Sequence, residues 1–212
     1  MLYLLEFSRG KMSIKNPKIV SVSSLREIVF GAKNSSLLVL DIDNTIVFSK
    51  SYIGSVQWEK KLIEQFLNDG LSLEEALHKA QTLWVDAQRK TQVQASEKDI
   101  TSIFSDTYNS LGCTARPPKL IDVTIKQLKN AGFSLKENTA SYPILSKAYH
   151  HKGIIFCGNV SKGKALLEFF NNTSWPSQII MIDDHLHHLE EVCLLARKNS
   201  LPFQGFLYNK HN

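Results

Sequence analysis

The sequence predicts an α/β fold in which a parallel sheet is flanked by helices and a small helical unit is inserted after the first strand. Three observations support this prediction. A short apolar run at 36–41 ends in carboxylates, as is typical of a strand buried on both faces. After residue 108, strand-like and helix-like segments alternate, which indicates a parallel sheet covered by helices. Residues 46–108 have a helical pattern throughout and interrupt the alternation.

The expected organisation is one α/β core, formed by residues 1–45 and 109–212, and one helical cap, formed by residues 46–108. The chain has 212 residues, 43% of them apolar and 21% charged, which suffices for one packed core with a small accessory unit. No apolar run approaches the roughly 18 residues needed to span a bilayer. The start of the chain lacks a basic segment and a cleavage site, so no signal peptide is expected, and Met12 is an alternative first residue.

Charge and cysteine content narrow the expected partners and compartment. The net charge is +5, but Lys and Arg are spread along the chain without a basic stripe. We therefore predict no nucleic-acid or membrane partner, and the charge suits a phosphorylated small-molecule substrate. The cysteines, Cys113, Cys157 and Cys193, lie in apolar surroundings and are expected to be reduced thiols. This cysteine usage indicates a cytoplasmic protein.

The helical block contains three predicted helices. The first has apolar residues at helical spacing over 58–67 and ends near Gly70. The second begins with a capping box formed by Ser72 and Glu75. A third, weaker helix is expected at 100–108.

The second half of the chain supplies four more strands and three helices. One predicted strand ends at Thr114, and the others cover 153–157, 178–182 and 203–208. The predicted helices cover 117–131, 161–170 and the stretch from Asp184 to about Asn199. The polar stretch 133–152, which contains Pro143, fits neither pattern and is expected to form a long loop or an irregular hairpin.

Chemically active side chains follow four of the predicted strands. They are Asp41, Asp43 and Thr45 after the first, Thr114 and Arg116 after the second, Lys162 and Lys164 after the third, and Asp183 and Asp184 after the fourth. Ligands of open parallel sheets bind at the carboxyl ends of the strands, so we expect these side chains to converge. Carboxylate oxygens suit Mg²⁺, a carboxylate can attack phosphorus, and a second acid can move the protons. Thr114 could hold the transferring phosphoryl group. The sequence therefore predicts a magnesium and phosphate site.

Over residues 36–208 the order of these motifs resembles haloacid dehalogenase (HAD)-like phosphatases, which have a Rossmann-like fold. The resemblance rests on Asp-x-Asp-x-Thr after a buried strand, then Thr-x-Arg, then a lysine that opens a helix, then Asp-Asp after a later strand. More narrowly, Leu-Asp-Ile-Asp-Asn-Thr at 40–45, Gly54–Trp58, Leu111–Arg116 and Lys162-Gly163 look like an uncharacterised bacterial branch of that superfamily.

The resemblance implies Mg²⁺-dependent hydrolysis of a phosphomonoester through an aspartyl phosphate on Asp41, with Asp43 as general acid and base. The implied roles form three sets: catalytic residues Asp41, Asp43, Thr114 and Lys162; metal ligands Asp41, Asp43, Asp183 and Asp184; and substrate-binding residues Thr45, Arg116 and Lys164. The helical insertion would act as a cap that closes the site and selects the substrate.

Two positions depart from the pattern. His188 stands where similar proteins often carry Asn, and Lys164 could replace Lys162 as the lysine of the site. The histidines of the run 185–188 invite a zinc hypothesis, but without further ligands at a telling spacing they are interpreted as the solvated start of a helix.

Structural alternatives remain open for several residues. Arg116 could be a surface or structural partner, Thr114 could cap a helix, and Trp58 and Trp84 are expected to pack within the helical unit rather than to line a pocket. The alternative function is a catalytically silent HAD-like protein that binds a macromolecular partner. Both acids of the first motif are present, which argues against this alternative.

Overall fold

The computed structural model describes residues 18–28, 36–98, 109–133, 135 and 141–210. The expectations for the start of the chain, including Met12, and for a helix at 100–108 lie outside the described residues. Part of the stretch 133–152 lies outside them as well. Among the described helices, none combines the length and the apolar character that crossing a bilayer requires.

The elements are numbered in chain order. The described strands are β1 (Lys18–Val22), β2 (Ser36–Leu40), β3 (Val47–Ser49), β4 (Val93–Ala95), β5 (Asn109–Thr114), β6 (Tyr142–Leu145), β7 (Ala148–His151), β8 (Ile154–Phe156), β9 (Gln178–Asp183) and β10 (Phe203–Tyr208). The described helices are α1 (Val56–Asn68), α2 (Leu73–Gln88), α3 (Ile121–Asn130), α4 (Lys162–Asn172) and α5 (Leu186–Lys198), with 3-10 turns at Leu25–Glu27 and Pro118–Leu120.

A mostly parallel sheet lies at the centre of the molecule. In the part of the chain that is described, eight strands form it in the order β1-β10-β9-β2-β5-β8-β7-β6. The strands from β1 to β8 in this order pair in parallel, whereas β7 and β6 are antiparallel additions at one edge. The predicted α/β fold is therefore confirmed.

Alternate residues of the central strands pack into two separate hydrophobic layers. Leu38 and Leu40 of β2 belong to one layer, which also contains Leu128 of α3. Val39, between them in sequence, belongs to the other layer, in which residues of α4 and α5 cover the sheet. Side chains of a strand point alternately to its two faces, so burial on both faces explains why β2 reads as an unbroken apolar run.

The stretch between β2 and β5 contains a pair of packed helices. The side chain of Ser55 caps α1, and Ser72 and Glu75 form the predicted capping box of α2. Gly70 has a φ of 88°, a left-handed conformation that glycine adopts at little cost in the turn between the helices. The strands β3 and β4 precede and follow the helical pair in the sequence, and they pair with each other in antiparallel orientation.

The structure contains strands that the sequence did not predict. They are β1 and the pair β3 and β4. The antiparallel hairpin β6–β7, whose register shifts between Pro143 and Leu145, confirms the irregular hairpin that was one of two expectations for 133–152. The strands β1, β3 and β4 are only partly buried, so they lack the continuous apolar run that marked β2 and β8. The helix predicted over 117–131 begins only at Ile121, because Pro117 and Pro118 precede it in a 3-10 turn.

Candidate active site

A pocket of about 320 Å³ lies where the carboxyl ends of β9, β2, β5 and β8 meet. These four strands are neighbours in the sheet, so the residues that follow them are brought together. The predicted site residues in its lining are Asp41, Asp43, Thr114, Arg116 and Asp184.

Lys162 is the buried cation of this site. Its Nζ donates to Asp41 Oδ1 at 2.6 Å and to Asp183 Oδ2 at 2.7 Å, and only 1% of the residue is exposed. Burial disfavours the charged amine, but the charges of Asp183 and Asp41 outweigh this effect and raise the pKa of Lys162 well above its usual value. Lys162 is therefore a fixed positive charge between two carboxylates.

Asp41 is less favourably placed as an anion. Burial raises its pKa to about 8, and repulsion from Asp183 and Asp184 contributes in the same direction, whereas Lys162 opposes the change. Its Oδ2 also accepts a hydrogen bond from Thr45 Oγ1 at 3.0 Å. A bound cation would favour the charged form of Asp41.

Asp183 has the opposite electrostatic character. Burial would raise its pKa, but Lys162 and the hydrogen bond from His188 outweigh burial and lower the pKa to about 2. The backbone N–H of His185 donates to the same carboxylate at 2.9 Å. Asp183 is therefore an anion held from several sides.

Arg116 fixes the position of Asp43. The Nε and Nη2 atoms of Arg116 each donate to one oxygen of Asp43 at 2.7 Å. The Arg116 side chain is 1% exposed and that of Asp43 is 24% exposed. A bidentate ion pair of this kind restricts both the position and the rotation of the carboxylate, and Asp43 still faces the pocket.

A chain of hydrogen bonds extends from this ion pair to the end of α2. Arg116 Nη1 donates to Thr124 Oγ1 at 2.9 Å and to Gln127 Oε1 at 2.6 Å, both on α3. Gln127 Nε2 in turn donates to the backbone carbonyl oxygens of Gln88 at 3.2 Å and Thr91 at 3.0 Å. The helical pair is thus connected to Asp43 through two buried side chains.

The other predicted residues differ in their surroundings. Thr114 is buried, and its Oγ1 accepts a hydrogen bond from the backbone N–H of Arg116 at 3.1 Å. Asp184 accepts from Asn44 Nδ2 at 3.2 Å and lies 2.7 Å from His185 Nδ1. Lys164 is exposed, and its backbone N–H donates to the capping residue Ser161. Of the two lysines at the start of α4, Lys162 contacts the carboxylates.

Two groups of side chains have the composition and spacing of metal ligands. Asp41, Asp183 and Asp184 each offer an oxygen, and these atoms lie within 4.8 Å of one another. A second group consists of Asp183, His185 and His188, and one ligand atom from each also lies within 4.8 Å of the other two. Asp41, Asp183 and Asp184 were predicted from the sequence as metal ligands. A zinc site at the histidine run 185–188 was considered and set aside for lack of further ligands, whereas in the structure Asp183 lies beside two of these histidines.

The helical pair also contributes residues to the pocket. Glu59 and Lys60 of α1 and Gln81 of α2, which the sequence did not single out, line it. Trp84, expected to pack within the helical unit rather than to line a pocket, is buried as expected but lines the pocket as well. Burial and the charge of Asp43 raise the pKa of Glu59 to about 7. Glu59 and Lys60 stand at helical spacing from Val56 and Ile63, which also line the pocket, and this spacing was the available signal.

A larger pocket, of about 530 Å³, lies elsewhere on the surface. Its lining includes Lys50, Arg89, Lys90 and Lys126 together with Gln88 and Gln127. None of the predicted site residues lines it, so size alone does not identify the candidate site.

Comparison with known proteins gives one family and a few relatives. A family model described as "Protein of unknown function (DUF2608)" matches residues 18–212. Two Chlamydia pneumoniae proteins, both named "Putative outer membrane protein", are similar to the chain. One is 25% identical over 97% of this chain and 81% of its own length. The other is 23% identical over 90% of this chain and 77% of its own length.

Among solved structures, the chain is similar to a HAD-superfamily hydrolase, subfamily IA, variant 1, from Geobacter sulfurreducens PCA. The two share 11% sequence identity with a TM-score of 0.46, over 85% of this chain and 95% of that one.

Proposed function

Because the chain belongs to the DUF2608 family, whose description states no activity, we propose its function from the site itself: Mg²⁺-dependent hydrolysis of a phosphomonoester through an aspartyl phosphate on Asp41. The observation that carries the proposal is the buried contact of Lys162 with both Asp41 and Asp183. This contact brings a nucleophile, a cation and a metal-binding carboxylate to one end of the sheet, beside an open pocket.

The carboxylates fit Mg²⁺. The ion takes oxygen ligands and is bound by one or two carboxylates together with substrate phosphate and water. Asp41, Asp183 and Asp184 offer such oxygens close together. Burial, and to a smaller extent repulsion from Asp183 and Asp184, raises the pKa of Asp41, so a nearby cation would stabilise its charged form. When bound, Mg²⁺ would supply that charge to the carboxylates and to the substrate phosphate.

The protein residues would carry out the reaction in two steps. In the first, a carboxylate oxygen of Asp41 attacks phosphorus, the bond from phosphorus to the ester oxygen breaks, and protonated Asp43 gives its proton to the departing alcohol. In the second, Asp43 removes a proton from water, which attacks the aspartyl phosphate. Inorganic phosphate leaves, Asp41 is regenerated and Asp43 regains its proton.

Three further residues would position these groups. Thr45 donates to Asp41 and would orient the attacking carboxylate. Arg116 holds both oxygens of Asp43, so we propose that it acts through Asp43 rather than on the substrate. Thr114 lines the pocket beside them and would contact the phosphate.

The helical pair is proposed to act as a cap that selects a phosphorylated small molecule. Its residues Glu59, Lys60, Gln81 and Trp84 line the pocket opposite the strand ends. The mixture of acid, base, amide and aromatic ring suits a polar substrate that carries an apolar or aromatic part.

The proposal is tested by hydrolysis of an aryl phosphate with Mg²⁺ and with a chelator. Turnover is expected only with Mg²⁺ and is expected to disappear in Asp41→Asn. Asp69→Asn, at an exposed position after α1, is the matched control and should retain activity.

A second measurement does not require the aryl phosphate to enter the site, and so it remains informative if the cap excludes that substrate. Beryllium fluoride with Mg²⁺ should raise the melting temperature of the wild-type protein and of Asp69→Asn, but not of Asp41→Asn. If the wild-type protein shows neither turnover nor this stabilisation, the proposal is contradicted and a non-catalytic binding protein is favoured.

We also propose a cytoplasmic location, which rests on the thiols. Cys113, Cys157 and Cys193 are unbonded, and the Sγ atoms of Cys113 and Cys157 lie only 3.6 Å apart. Such a pair suits a reducing compartment, whereas the names of the Chlamydia relatives suggest the cell envelope. Cell fractionation combined with a count of free thiols distinguishes the two locations.

A further inference from the structure

The start of α5 carries two histidines that the proposed hydrolysis does not use, and with Asp183 they form a second group of metal-ligating atoms. One atom from each of Asp183, His185 and His188 lies within 4.8 Å of the other two. Asp183 is fully buried, whereas the two histidine side chains are 30% and 17% exposed. Both histidines line the pocket of the candidate site, so an ion from solution could reach them.

The spacing of this group is close to that of a bound ion. His188 Nδ1 lies 3.1 Å from Asp183 Oδ1, and two ligands of a tetrahedral Zn²⁺ ion, bonded at about 2.0–2.1 Å, lie about 3.3 Å apart. A pair of ligand atoms at the 4.8 Å limit of this group would have to close by about 1.5 Å to reach the tetrahedral spacing.

The surroundings support the imidazoles as ligands. His185 Nδ1 lies 2.7 Å from Asp184 Oδ1, and a carboxylate beside a metal-binding histidine fixes its ring orientation and strengthens the nitrogen ligand. The backbone N–H of His185 donates to Asp183 Oδ1, which fixes that carboxylate. The first turn of α5 thus holds two of the ligand side chains against the third.

The kind of ligand selects the kind of ion. Mg²⁺ prefers oxygen ligands, and the carboxylates Asp41, Asp183 and Asp184 provide them. Two imidazoles with one carboxylate instead suit first-row transition metals, and this ligand set with open positions is common at catalytic Zn²⁺ and non-haem iron sites.

We propose that Asp183, His185 and His188 form a binding site for a divalent transition metal ion, best matched by Zn²⁺, adjacent to the carboxylate group that would hold Mg²⁺. The two groups share Asp183, so the two ions would compete for this carboxylate. The transition-metal site does not depend on the hydrolytic activity.

The test is metal binding by tag-free protein in excess Mg²⁺, without substrate. Co²⁺ is titrated in and followed by its visible ligand-field absorption, and Zn²⁺ is then added to displace it. We expect one tight equivalent in the wild-type protein, and affinity lower by roughly tenfold or more in His185→Asn and in His188→Asn. His187→Asn is the matched control, because His187 is exposed and lies outside the group.

One more control makes each result interpretable. Thermal unfolding of every variant establishes that a loss of binding is not a loss of folding. Undiminished binding in both histidine variants, or equal loss in His187→Asn, would overturn the proposal.

Discussion

Lys162 and its two carboxylates form a buried group in which each charge depends on the others. Removing a charge from water costs several kcal/mol unless a partner compensates. Lys162 compensates both Asp41 and Asp183, while Asp184 adds further negative charge nearby. With three carboxylates and one lysine, the fully ionised group therefore lacks two positive charges before any metal ion binds.

Replacing the shared cation should destabilise the metal-free protein. In Lys162→Met both carboxylates lose their partner, which for a buried pair costs about 3–5 kcal/mol. In a chain of this size that corresponds to roughly 6–20 °C in melting temperature. Lys164→Met at the neighbouring exposed position is the control, and equal melting temperatures for the two variants would contradict the electrostatic account.

The raised pKa of Asp41 predicts how the stability of the metal-free protein depends on pH. Its pKa of about 8 lies above the ordinary value of 3.8, so the folded protein binds a proton that the unfolded chain has released. The resulting stabilisation is complete below pH 4 and is lost as the pH rises towards 8.

Asp41→Asn cannot lose this stabilisation. In chelator, its melting temperature should therefore rise relative to the wild-type protein as the pH increases from 5 to 8. Thermal unfolding of both proteins over this range tests the prediction, and a constant difference between them would show that Asp41 titrates normally.

At the scale of elements, the central strands that are buried on both faces were predictable, and the partly exposed peripheral strands were not. The strands β2 and β9 are buried on both faces, so their apolar runs are unambiguous, and Ser72 and Glu75 marked the start of α2 correctly. The strands β1, β3 and β4 have three to five residues and depend on pairing with partners distant in the sequence. Such pairing leaves little local signal.

Helix caps provide a matched test at this scale. The side chains of Ser72 and Ser161 each accept a hydrogen bond from the backbone N–H three residues on, at the starts of α2 and α4, and Ser72 also forms a capping box with Glu75. Replacing either by Ala should cost about 0.5–2 kcal/mol of stability. Only Ser161 precedes Lys162, so Ser161→Ala should also reduce Mg²⁺-dependent turnover beyond the reduction in Ser72→Ala. Equal turnover in both variants would show that the cap of α4 does not orient the lysine.

At the scale of the whole molecule, the order of the strands assembles the candidate site. The strands β9, β2, β5 and β8 are adjacent, although the residues that follow them are spread from position 41 to position 184. The sequence indicated which residues stand at strand ends, because ligands of parallel sheets bind there. It could not indicate that Arg116 would engage Asp43 or that His188 would contact Asp183, since both contacts depend on side-chain directions in three dimensions.

Metal binding should stabilise the whole fold. A ligand that binds only the folded protein adds about 2.7 kcal/mol at one hundred times its dissociation constant, which is roughly 5–11 °C for a chain of this length. Mg²⁺ should therefore raise the melting temperature of the wild-type protein in a saturable way. It should have little effect on Asp184→Asn, which removes one oxygen ligand without touching Lys162, and equal stabilisation of both proteins would place Mg²⁺ elsewhere.

The hydrogen bonds from the end of α2 through Gln127 and Arg116 to Asp43 bear on how this protein can evolve. If the helical pair selects the substrate, it is not an independent module, because the end of α2 also helps to position Asp43, the proposed general acid and base. Exchanging the helices with those of a relative would alter the turnover number together with substrate preference, unless Gln127 and its carbonyl partners were transferred as well. New specificities should therefore arise more readily through substitutions at the pocket-facing positions of α1, which are outside this hydrogen-bonded chain.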